Sequence, residues 1–283
     1  MTAYKAVFCD IDGTLLDSNH ALPPRTAERV REVADAGTPF VLVSARSPGS
    51  IFPIQDAIGI RGPIVCYSGA LVLDHDRSPV HSLGIPPALA GEIKARIAAG
   101  RPDTAATVYS FNRWIVDDAA DPRVVLEAQI TGAVPTEGGV EDALSGSEAH
   151  KIFCISDREA TLAMEAELVR HYPDLSICKS SVKFLEIMNG AATKGNALRY
   201  LCQAMRIPPE ETVSFGDNFN DIGMLEAAGL GVAMGNAPEE VKRHADRVTL
   251  DNDHEGVRAV LEELSFQSMG NSVRFEQAEF GRR

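Results

Sequence analysis

Two pairs of aspartates are the residues of this sequence best placed to do chemistry. Asp10 and Asp12 come directly after one short apolar run, and Asp217 and Asp221 come after another, far away along the chain. Short apolar and β-branched runs predict buried strands, and open α/β sheets bind ligands at the carboxyl ends of their strands. Carboxylates at such an edge can hold Mg²⁺, attack an electrophile or carry a proton.

Each pair also has a simpler interpretation. Asp10 and Asp12 could form a turn that merely ends the strand, and Asp221 could merely favour the first turn of a helix through its dipole. A calcium loop is excluded for the first pair, because the sixth and twelfth positions counted from Asp10 are Leu15 and Ala21 rather than Gly and Glu. Asp217 is harder to explain structurally, because it follows a glycine where the strand must end.

A hydroxyl group and an ammonium group complete the set. Ser44 ends a second predicted strand, and Lys194 begins a predicted helix far downstream. Taken alone, Ser44 would be interpreted as a turn residue and Lys194 as a solvated lysine. Beside two pairs of aspartates, however, the hydroxyl and the ammonium have to be interpreted together with the carboxylates as one set.

The elements predicted to carry these residues alternate between strand and helix. The first third of the chain predicts strands at Lys5–Cys9, Phe40–Ser44 and Ile64–Tyr67, with helices at Pro24–Ala36 and Ile51–Ile58. After Met188 the alternation returns, with helices at Lys194–Met205, Asp221–Ala228, Pro238–His244 and Val257–Leu264 and strands at Thr212–Phe215 and Leu230–Ala233. This rhythm is typical of a parallel sheet covered by helices on both faces.

Between these two parts the pattern predicts hairpins. Ala106–Phe111 pairs with Trp114–Asp118 through a turn at Asn112-Arg113, and Leu175–Cys178 pairs with Lys183–Met188. A strand at Lys151–Ser156 and helices at Ala88–Ala98, Val124–Ile130 and Glu159–His171 accompany them. We therefore expect a Rossmann-like α/β core of residues 1–82 and 189–264, interrupted by an inserted α+β domain of residues 83–188. The tail, residues 265–283, has no assigned role.

Taken in order, these motifs resemble those of the haloacid dehalogenase (HAD) superfamily of phosphatases. The resemblance rests on Asp10-x-Asp12-Gly-Thr, Ser44, Lys194 and Gly216-Asp217-x-x-Asn220-Asp221, and it covers about residues 4–264. The insertion between the second and third motifs, together with Gly229–Ala237, is similar to the Cof-like (type IIB) subfamily. The sequence departs from that pattern at Ser44-Ala45-Arg46, where Thr-Gly-Arg is more usual, and at Ser68-Gly69-Ala70, where Asn-Gly-Ala is common.

The resemblance implies a Mg²⁺-dependent phosphatase with an inserted domain that acts as a cap. Asp10 would be the nucleophile that becomes phosphorylated, and Asp12 would be the general acid and base. Mg²⁺ would be held by Asp10, the backbone carbonyl of Asp12, Asp217 and Asp221, the last either directly or through metal-bound water. The phosphate would be bound by Ser44, the Ala45 amide, Lys194 and Asn220.

The same resemblance leaves the substrate open. A small phosphorylated molecule, either a sugar phosphate or a phosphorylated cofactor, is the expected substrate, and the enzyme is expected to be a monomer or a homodimer. Candidate substrate contacts in the insertion, each of which could equally be a turn or solvated residue, are Asn112, Arg113, Trp114, His150 and Lys179. The alternatives are a phosphomutase on the same scaffold and a non-catalytic binding protein, which would be expected to have lost Asp12 or Lys194.

Composition limits the partners and the compartment. The 283 residues carry a formal net charge of −13, and no block of Lys and Arg reaches five residues, which disfavours a nucleic acid partner. No apolar run approaches membrane-spanning length, so no membrane partner is expected. The five cysteines are widely spaced and form no CxxC pair, which favours free thiols and a cytoplasmic location.

Overall fold

The secondary structure alternates between strands and helices along most of the chain. The computed structural model describes residues 3–144 and 146–269. Its strands are β1 (Ala6–Asp10), β2 (Phe40–Val43), β3 (Ile64–Cys66), β4 (Leu71–Leu73), β5 (Pro79–Ser82), β6 (Ala105–Ser110), β7 (Arg113–Val116), β8 (Pro135–Glu137), β9 (Lys151–Ile155), β10 (Leu175–Lys179), β11 (Phe184–Asn189), β12 (Thr212–Gly216), β13 (Leu230–Ala233) and β14 (Arg247–Val248). Its α-helices are α1 (Pro24–Asp35), α2 (Pro48–Ile58), α3 (Pro87–Gly100), α4 (Pro122–Thr131), α5 (Val140–Leu144), α6 (Arg158–His171), α7 (Lys194–Met205), α8 (Ile222–Leu225), α9 (Glu239–Lys242) and α10 (Gly256–Glu263).

The described residues divide into two compact units. Unit 1 contains residues 3–46, 51–81 and 193–269, and unit 2 contains residues 47–50, 82–144 and 146–192. Helix α2 therefore begins in unit 2 and continues in unit 1. The range 82–192 is close to the predicted insertion, 83–188, but the role of that insertion as a cap stays a prediction.

Unit 1 is built on a sheet with the strand order β14-β13-β12-β1-β2-β3-β4-β5. The strands from β14 to β3 are parallel, and β4 runs antiparallel to β3. The chain leaves β1 towards β2 on one side and returns as β12 on the other, with Ala6 opposite Thr212 and Cys9 opposite Phe215. The carboxyl ends of β1 and β12 therefore border the crevice where sheets of this kind bind ligands.

The central strands of unit 1 are buried on both faces. Every residue of β1, β2 and β12 is buried, and successive residues of a strand point to opposite faces. One face packs Phe8, Val41 and Val65 in a cluster with Leu198 and Leu201 of α7. This packing holds the crevice-facing ends of the strands in place.

Unit 2 contains a second sheet, in the order β10-β11-β9-β6-β7-β8. Its pairs are antiparallel except for β7 and β8, which are parallel and are connected through α4. One face carries a core that includes Val108, Ile115, Ile152 and Leu185 with Ile93 of α3 and Met164 of α6. The alternation of buried apolar and more polar residues explains why the hairpins could be predicted from sequence.

The predicted fold class is confirmed, with corrections in detail. The first hairpin turns at Phe111-Asn112 rather than Asn112-Arg113, since Ser110 pairs with Arg113 and Phe111 adopts a φ of 50°. The helix predicted at Asp221–Ala228 is only Ile222–Leu225, because Phe219–Asp221 forms a separate 3-10 turn. The short strands β4, β5, β8 and β14 were not predicted.

The first residues of the tail pair with the N-terminal segment of unit 1. Tyr4 forms a parallel bridge with Phe266, and the backbone N–H of Gln267 donates to the Tyr4 carbonyl at 2.8 Å. The rest of the tail, residues 270–283, lies outside the described residues.

Two expectations from the sequence, about membrane-spanning segments and about free thiols, can be compared with the described residues. Within residues 3–144 and 146–269, no helix combines the length and the apolar character needed to cross a membrane. The five cysteines are free, and four of them are buried. The cytoplasmic location stays a prediction.

Candidate active site

A buried network of charges lies at the carboxyl end of β1. The Lys194 ammonium donates to Asp10 Oδ1 at 2.5 Å and to Asp221 Oδ1 at 2.6 Å. The exposed fractions of Asp10, Lys194 and Asp221 are 5%, 2% and 0%. Buried charges require paired, hydrogen-bonded partners, and this network meets that requirement for all three groups.

Asp221 also organises the turn that precedes it. Its Oδ2 accepts hydrogen bonds from the backbone N–H groups of Asp217 at 3.0 Å and Asn218 at 2.9 Å. Gly216 permits this arrangement. Any other residue at this position would place its Cβ 2.5 Å from the Cβ of Asp221, which is too close for two carbon atoms. One oxygen of Asp221 is therefore engaged by Lys194 and the other by two amides.

Asp217 is held by the turn that follows β1. Thr14 Oγ1 donates to Asp217 Oδ1 at 2.9 Å. Gly13 adopts a φ of +76°, and a Cβ at this position would collide with Asp217 Oδ2. Asn236 Nδ2 donates to the Gly13 carbonyl at 2.8 Å and fixes the turn from the other side. Residues 13 and 14 thus set the position of a carboxylate that lies 203 positions beyond Thr14 in the sequence.

Lys194 is brought to this network by the close packing of α7 against α8. Thr193 caps α7, and its Oγ1 accepts from the Asn196 N–H at 3.1 Å. Gly195 allows the close approach, since a Cβ there would lie 2.5 Å from the carbonyl oxygen of Gly223 in α8. Asp221 immediately precedes α8, so the same packing brings the ammonium and the carboxylate together.

Ser44 lies buried at the end of β2, one residue beyond the pair that Asp10 makes with Val43. Its Oγ accepts from the Arg46 N–H at 3.2 Å, and its carbonyl accepts from the Ser68 N–H at 2.9 Å. The Arg46 carbonyl accepts from the Tyr67 N–H at 3.1 Å. The turn from Ser44 to Arg46 is therefore anchored to the segment that follows β3.

The Asp12 carboxylate pairs with a residue to which the sequence analysis assigned no role. Arg46 donates from Nε to Asp12 Oδ2 at 2.8 Å and from Nη2 to Asp12 Oδ1 at 2.6 Å. His20 Nδ1 lies 3.5 Å from Asp12 Oδ1. The exposed fractions of the side chains are 41% for Asp12 and 31% for Arg46. Asp12 thus lies at the accessible edge of the site, whereas Asp10 lies inside it.

The remaining two predicted site residues have less distinctive surroundings. Ala45 is half-buried in the turn between Ser44 and Arg46. Asn220 lies in the turn Phe219–Asp221, beside Asp221, and its side chain is exposed. Their predicted contacts with a phosphate stay predictions.

Burial has the largest effect on the pKa values of Asp10 and Asp217. Burial raises the pKa of Asp10 well above its usual range; Lys194 opposes this rise, and Asp221 and Asp217 add to it. Burial also raises the pKa of Asp217, although the hydrogen bond from Thr14 opposes it. Burial alone would lower the pKa of Lys194, but Asp10 and Asp221 hold it above its ordinary value. The buried site therefore has more carboxylate than cation, and an added cation would offset the difference.

Asp12 behaves differently from the buried carboxylates. Burial raises its pKa, but the hydrogen bonds and the charge of Arg46 outweigh this effect, so the pKa of Asp12 lies below its usual range. Asp12 is therefore ionised in this structure over a wider range of pH than Asp10 or Asp217.

The donor set fits a divalent cation. Carboxylate oxygens of Asp10, Asp217 and Asp221 lie within 4.8 Å of one another. Oxygen donors of this kind suit hard cations such as Mg²⁺ and Ca²⁺. The hydrogen bonds from Lys194 to Asp10 and from Thr14 to Asp217 each reach Oδ1, whereas both oxygens of Asp221 accept hydrogen bonds from protein donors. Asp10 and Asp217 are thus the better candidates for direct ligands.

Comparison with known proteins identifies the family. Residues 7–261 match the family model of the haloacid dehalogenase-like hydrolases. The chain belongs to this family. This HAD-like hydrolase is 40% identical over 260 residues to a protein of Haemophilus influenzae that is provisionally named a phosphatase, with 92% of the chain and 98% of that protein covered. It is 28% identical to the pyridoxal phosphate phosphatase YbhA of Escherichia coli, with 89% and 96% covered.

Solved structures show the same fold. The crystal structure of TM0651 from Thermotoga maritima has a TM-score of 0.84 with 29% identity, and it covers 94% of this chain and 99% of its own. BT4131, described as a sugar phosphatase of HAD subclass IIB, has a TM-score of 0.74 with 25% identity and covers 92% and 98%. The predicted resemblance to this superfamily and the prediction of a phosphatase are both confirmed.

The sequence analysis did not identify several residues that shape the site of this HAD-like hydrolase. Thr14 and Gly13 lie inside the first motif, but their contact with Asp217 has no local signal. Asn236 lies in the segment Gly229–Ala237, which the sequence analysis used only to recognise the subfamily. Arg46 is the one position of Ser44-Ala45-Arg46 that agrees with the usual Thr-Gly-Arg, and this agreement was the signal that could have drawn attention to it.

The five candidate substrate contacts in unit 2 differ in their surroundings. His150 is fully buried: its Nδ1 accepts from the Phe111 N–H at 3.0 Å, and its Nε2 lies 3.0 Å from Ser82 Oγ. Lys179 pairs with Glu165, and Arg113 donates to the Ala143 carbonyl at 2.6 Å. Asn112 is exposed, and Trp114 is 1% exposed. These contacts give His150, Lys179 and Arg113 structural partners within unit 2.

Asn112 and Trp114 line a small pocket in unit 2. Its volume is about 210 Å³, and its polar lining includes Ser47, Ser50, Tyr109 and Thr131. The described residues that line it include no charged side chain. Asn112 Oδ1 accepts from the Gly49 N–H at 2.7 Å, which fixes the side-chain amide at the pocket wall. This lining suits a small neutral group.

Proposed function

We propose that this HAD-like hydrolase is a Mg²⁺-dependent phosphatase that acts on small phosphorylated metabolites through a phosphorylated Asp10. The observation that carries the proposal is the placement of Asp10 at the crevice edge of β1, bonded to Lys194 and beside Asp217. A carboxylate meant only for structure would gain nothing from two further carboxylates nearby, one of them fully buried and the other partly buried. A nucleophile that must meet a dianionic phosphate needs both the lysine and a metal ion.

Asp10 and Asp217 would hold Mg²⁺, together with the backbone carbonyl of Asp12. The bound ion would supply positive charge to the phosphate oxygens and to the carboxylate of the nucleophile. Asp221 would act through its partners, because its oxygens position Lys194 and the backbone of residues 217 and 218. We therefore assign Asp221 to the support of the metal site rather than to direct ligation.

The reaction would proceed in two displacements at phosphorus. In the first, a bond would form between an Asp10 oxygen and phosphorus while the bond to the ester oxygen breaks, and Asp12, which must carry a proton at this point, would give it to the departing oxygen. In the second, a water oxygen bonds to phosphorus, Asp12 takes a proton from that water, and the bond between phosphorus and Asp10 breaks. Asp12 ends the cycle protonated, Asp10 is restored, and inorganic phosphate and an alcohol are released.

The other predicted residues would stabilise the phosphoryl group as it transfers. Ser44 and the Ala45 amide follow the end of β2, and Asn220 follows the end of β12, so hydrogen-bond donors come from the strands on both sides of Asp10. Lys194 would add the positive charge that hydrogen bonds alone do not provide. These roles rest on the match of each residue to the motifs of the family.

The substrate would be a small phosphate monoester. The E. coli relative is named for pyridoxal phosphate and BT4131 for sugars, so relatives with this fold differ in leaving group. We propose that unit 2 selects among such groups and that Asn112 and Trp114 take part, because they line its neutral pocket.

Phosphate release from a panel of esters tests the proposal. Pyridoxal phosphate, several sugar phosphates and a sugar bisphosphate are each assayed with Mg²⁺ and with EDTA, beside an Asp10→Asn variant. The expected result is Mg²⁺-dependent release that the variant abolishes, and radioactive phosphate recovered on the protein after acid quenching of the wild type alone. Transfer to a sugar without release would favour a phosphomutase, and a folded protein that releases no phosphate from any ester would overturn the proposal.

A further inference from the structure

Two side chains in the wall of the unit 2 pocket carry hydrogen-bond donors. Asn112 Oδ1 accepts from the Gly49 N–H at 2.7 Å, and this contact leaves Nδ2 of the same amide as the donor. The indole Nε1 of Trp114 is buried and has no hydrogen-bond partner in the part of the chain that the structure describes. Because a buried donor without an acceptor costs free energy, this wall suits a group that supplies acceptors.

Asn112 lies in a turn whose backbone is under strain. Phe111, the residue before it, adopts a φ of 50°, which is uncommon for residues other than glycine. The Phe111 N–H donates to His150 Nδ1 at 3.0 Å, and the two rings meet edge to face with their centroids 4.8 Å apart. Strained conformations persist where the surrounding structure holds them. His150 therefore helps to hold the turn that carries Asn112.

The imidazole of His150 is engaged at both nitrogens. Because Nδ1 accepts from a backbone N–H, the ring proton lies on Nε2, which donates to Ser82 Oγ at 3.0 Å. The Ser82 hydroxyl donates in turn to Glu148 Oε2 at 2.7 Å, and the same oxygen accepts from the Gly84 N–H at 3.1 Å. Burial lowers the pKa of His150 to about 4, so the ring stays neutral at neutral pH. These contacts fix the tautomer that offers Nδ1 to the turn.

Backbone contacts hold the end of β6 independently of the imidazole. The His150 N–H donates to the Tyr109 carbonyl at 2.8 Å, and Ser110 Oγ donates to the Glu148 carbonyl at 2.8 Å. Neither bond involves a nitrogen of the His150 ring. A change of that ring should therefore disturb the turn at Phe111 while the strand keeps its pairing.

We propose that His150 is a positioning residue, which holds the turn at Phe111 so that Asn112 Nδ2 donates to an acceptor in the leaving group of the substrate. This inference rests on the proposed function, in which unit 2 selects the leaving group. The acceptor would be a hydroxyl, ether or carbonyl oxygen or a ring nitrogen, because each of these accepts a hydrogen bond from a neutral amide.

Selectivity between two esters tests this role. The first is the ester of the panel above with the highest kcat/KM, and the second is ethyl phosphate, whose leaving group carries no acceptor beyond the ester oxygen itself. Losing one hydrogen bond between neutral groups costs about 3- to 10-fold, and we expect Asn112→Ala to lower the ratio of the two kcat/KM values by this amount. The loss should appear as a higher KM for the first ester rather than a lower kcat, because the contact lies away from phosphorus.

Two substitutions of His150 separate positioning from a general structural role. His150→Asn keeps a side-chain oxygen near the position of Nδ1, so the Phe111 N–H retains an acceptor and the ratio should stay within about 2-fold of the wild type. His150→Gln carries its amide towards Ser82 instead, leaves the Phe111 N–H unpaired and should lower the ratio as Asn112→Ala does. Combining His150→Gln with Asn112→Ala should cause little further loss, because both act on one contact.

Thr161→Val is the control for disturbance of unit 2 elsewhere. Thr161 is fully buried, and its Oγ1 donates to the Asp157 carbonyl at 2.7 Å. Removing this hydroxyl also deletes a buried hydrogen bond of unit 2, but the ratio of the two esters should not change.

The outcomes distinguish this inference from the proposed function. An unchanged ratio in Asn112→Ala or His150→Gln, or a loss in His150→Asn as large as that in Asn112→Ala, would overturn the positioning role while the phosphatase remained. If His150→Gln fails to fold, His150→Asn decides together with Asn112→Ala: a ratio kept in the first and lowered in the second supports the role, and any other result overturns it. Absence of phosphate release from every ester by the wild-type protein would instead overturn the proposed function, and this inference with it.

Discussion

The buried ammonium of Lys194 offers the sharpest test of how this site is held together. Replacing Lys194 by Met keeps most of the side-chain volume and removes the charge and both hydrogen bonds, at 2.5 and 2.6 Å. Breaking a buried ion pair by removing one partner costs about 3–5 kcal/mol, because the remaining charge is left unpaired. Here two carboxylates lose their partner, but Asp10, whose pKa is already raised, can take up a proton and limit the loss. We expect Lys194→Met to lower the free energy of unfolding of unit 1 by about 3–5 kcal/mol in metal-free buffer.

The probe must report on unit 1. The single tryptophan, Trp114, lies in unit 2, so its fluorescence is unsuitable, and unfolding is followed instead by hydrogen exchange of amides in β1 and β12 across a urea series. Lys5→Met is the matched control, since Lys5 pairs with Glu211 at 2.7 Å but both side chains are partly exposed, and its expected cost is below about 1 kcal/mol. A loss in Lys194→Met no greater than that of Lys5→Met would refute the argument that the buried network depends on this cation.

Two further predictions concern pH and the metal. Burial lowers the pKa of His150 to about 4, whereas an unfolded histidine titrates near 6.5. Between those values the unfolded chain binds a proton that the folded chain does not, so stability is full above about pH 6.5 and should fall by up to about 3 kcal/mol as the pH drops towards 4. Urea titrations followed by Trp114 fluorescence should show this slope, and a His150→Gln variant that keeps it would contradict the assignment. Thr14→Val, which removes the hydrogen bond to Asp217, should weaken Mg²⁺ binding by about 10- to 100-fold in Mg²⁺ titrations of phosphate release, whereas Thr26→Val, which removes a hydroxyl bonded to Glu255, should not.

Much of the fold could be predicted because its signals are local. A strand such as β1 or β12 is specified by a short run of apolar residues. The carboxylate at the end of that run lies within the same short stretch of sequence. The hairpins of unit 2 were predicted for the same reason, from alternation and turn residues. The strand β8 was not, because its three residues owe their place to the parallel pairing with β7 through α4, and nothing in Pro135–Glu137 itself requires that pairing.

The candidate site likewise has features that the sequence could predict and features that it could not. The sequence by itself determined which residues stand at the strand ends, Asp10, Ser44 and Asp217 among them, because each ends or follows a local apolar pattern. Only the tertiary structure decided which of them touch. The ammonium of Lys194 meets a carboxylate 184 positions away, and Arg46 meets one 34 positions away. Contacts between distant positions depend on the order of strands in the sheet and on how closely helices pack. A short stretch of neighbouring residues specifies neither of these. For that reason the positions of these residues at the strand ends could be predicted, whereas the burial of Lys194, the hydrogen bonds from the backbone to Asp221 and the pairing of Arg46 with Asp12 could not.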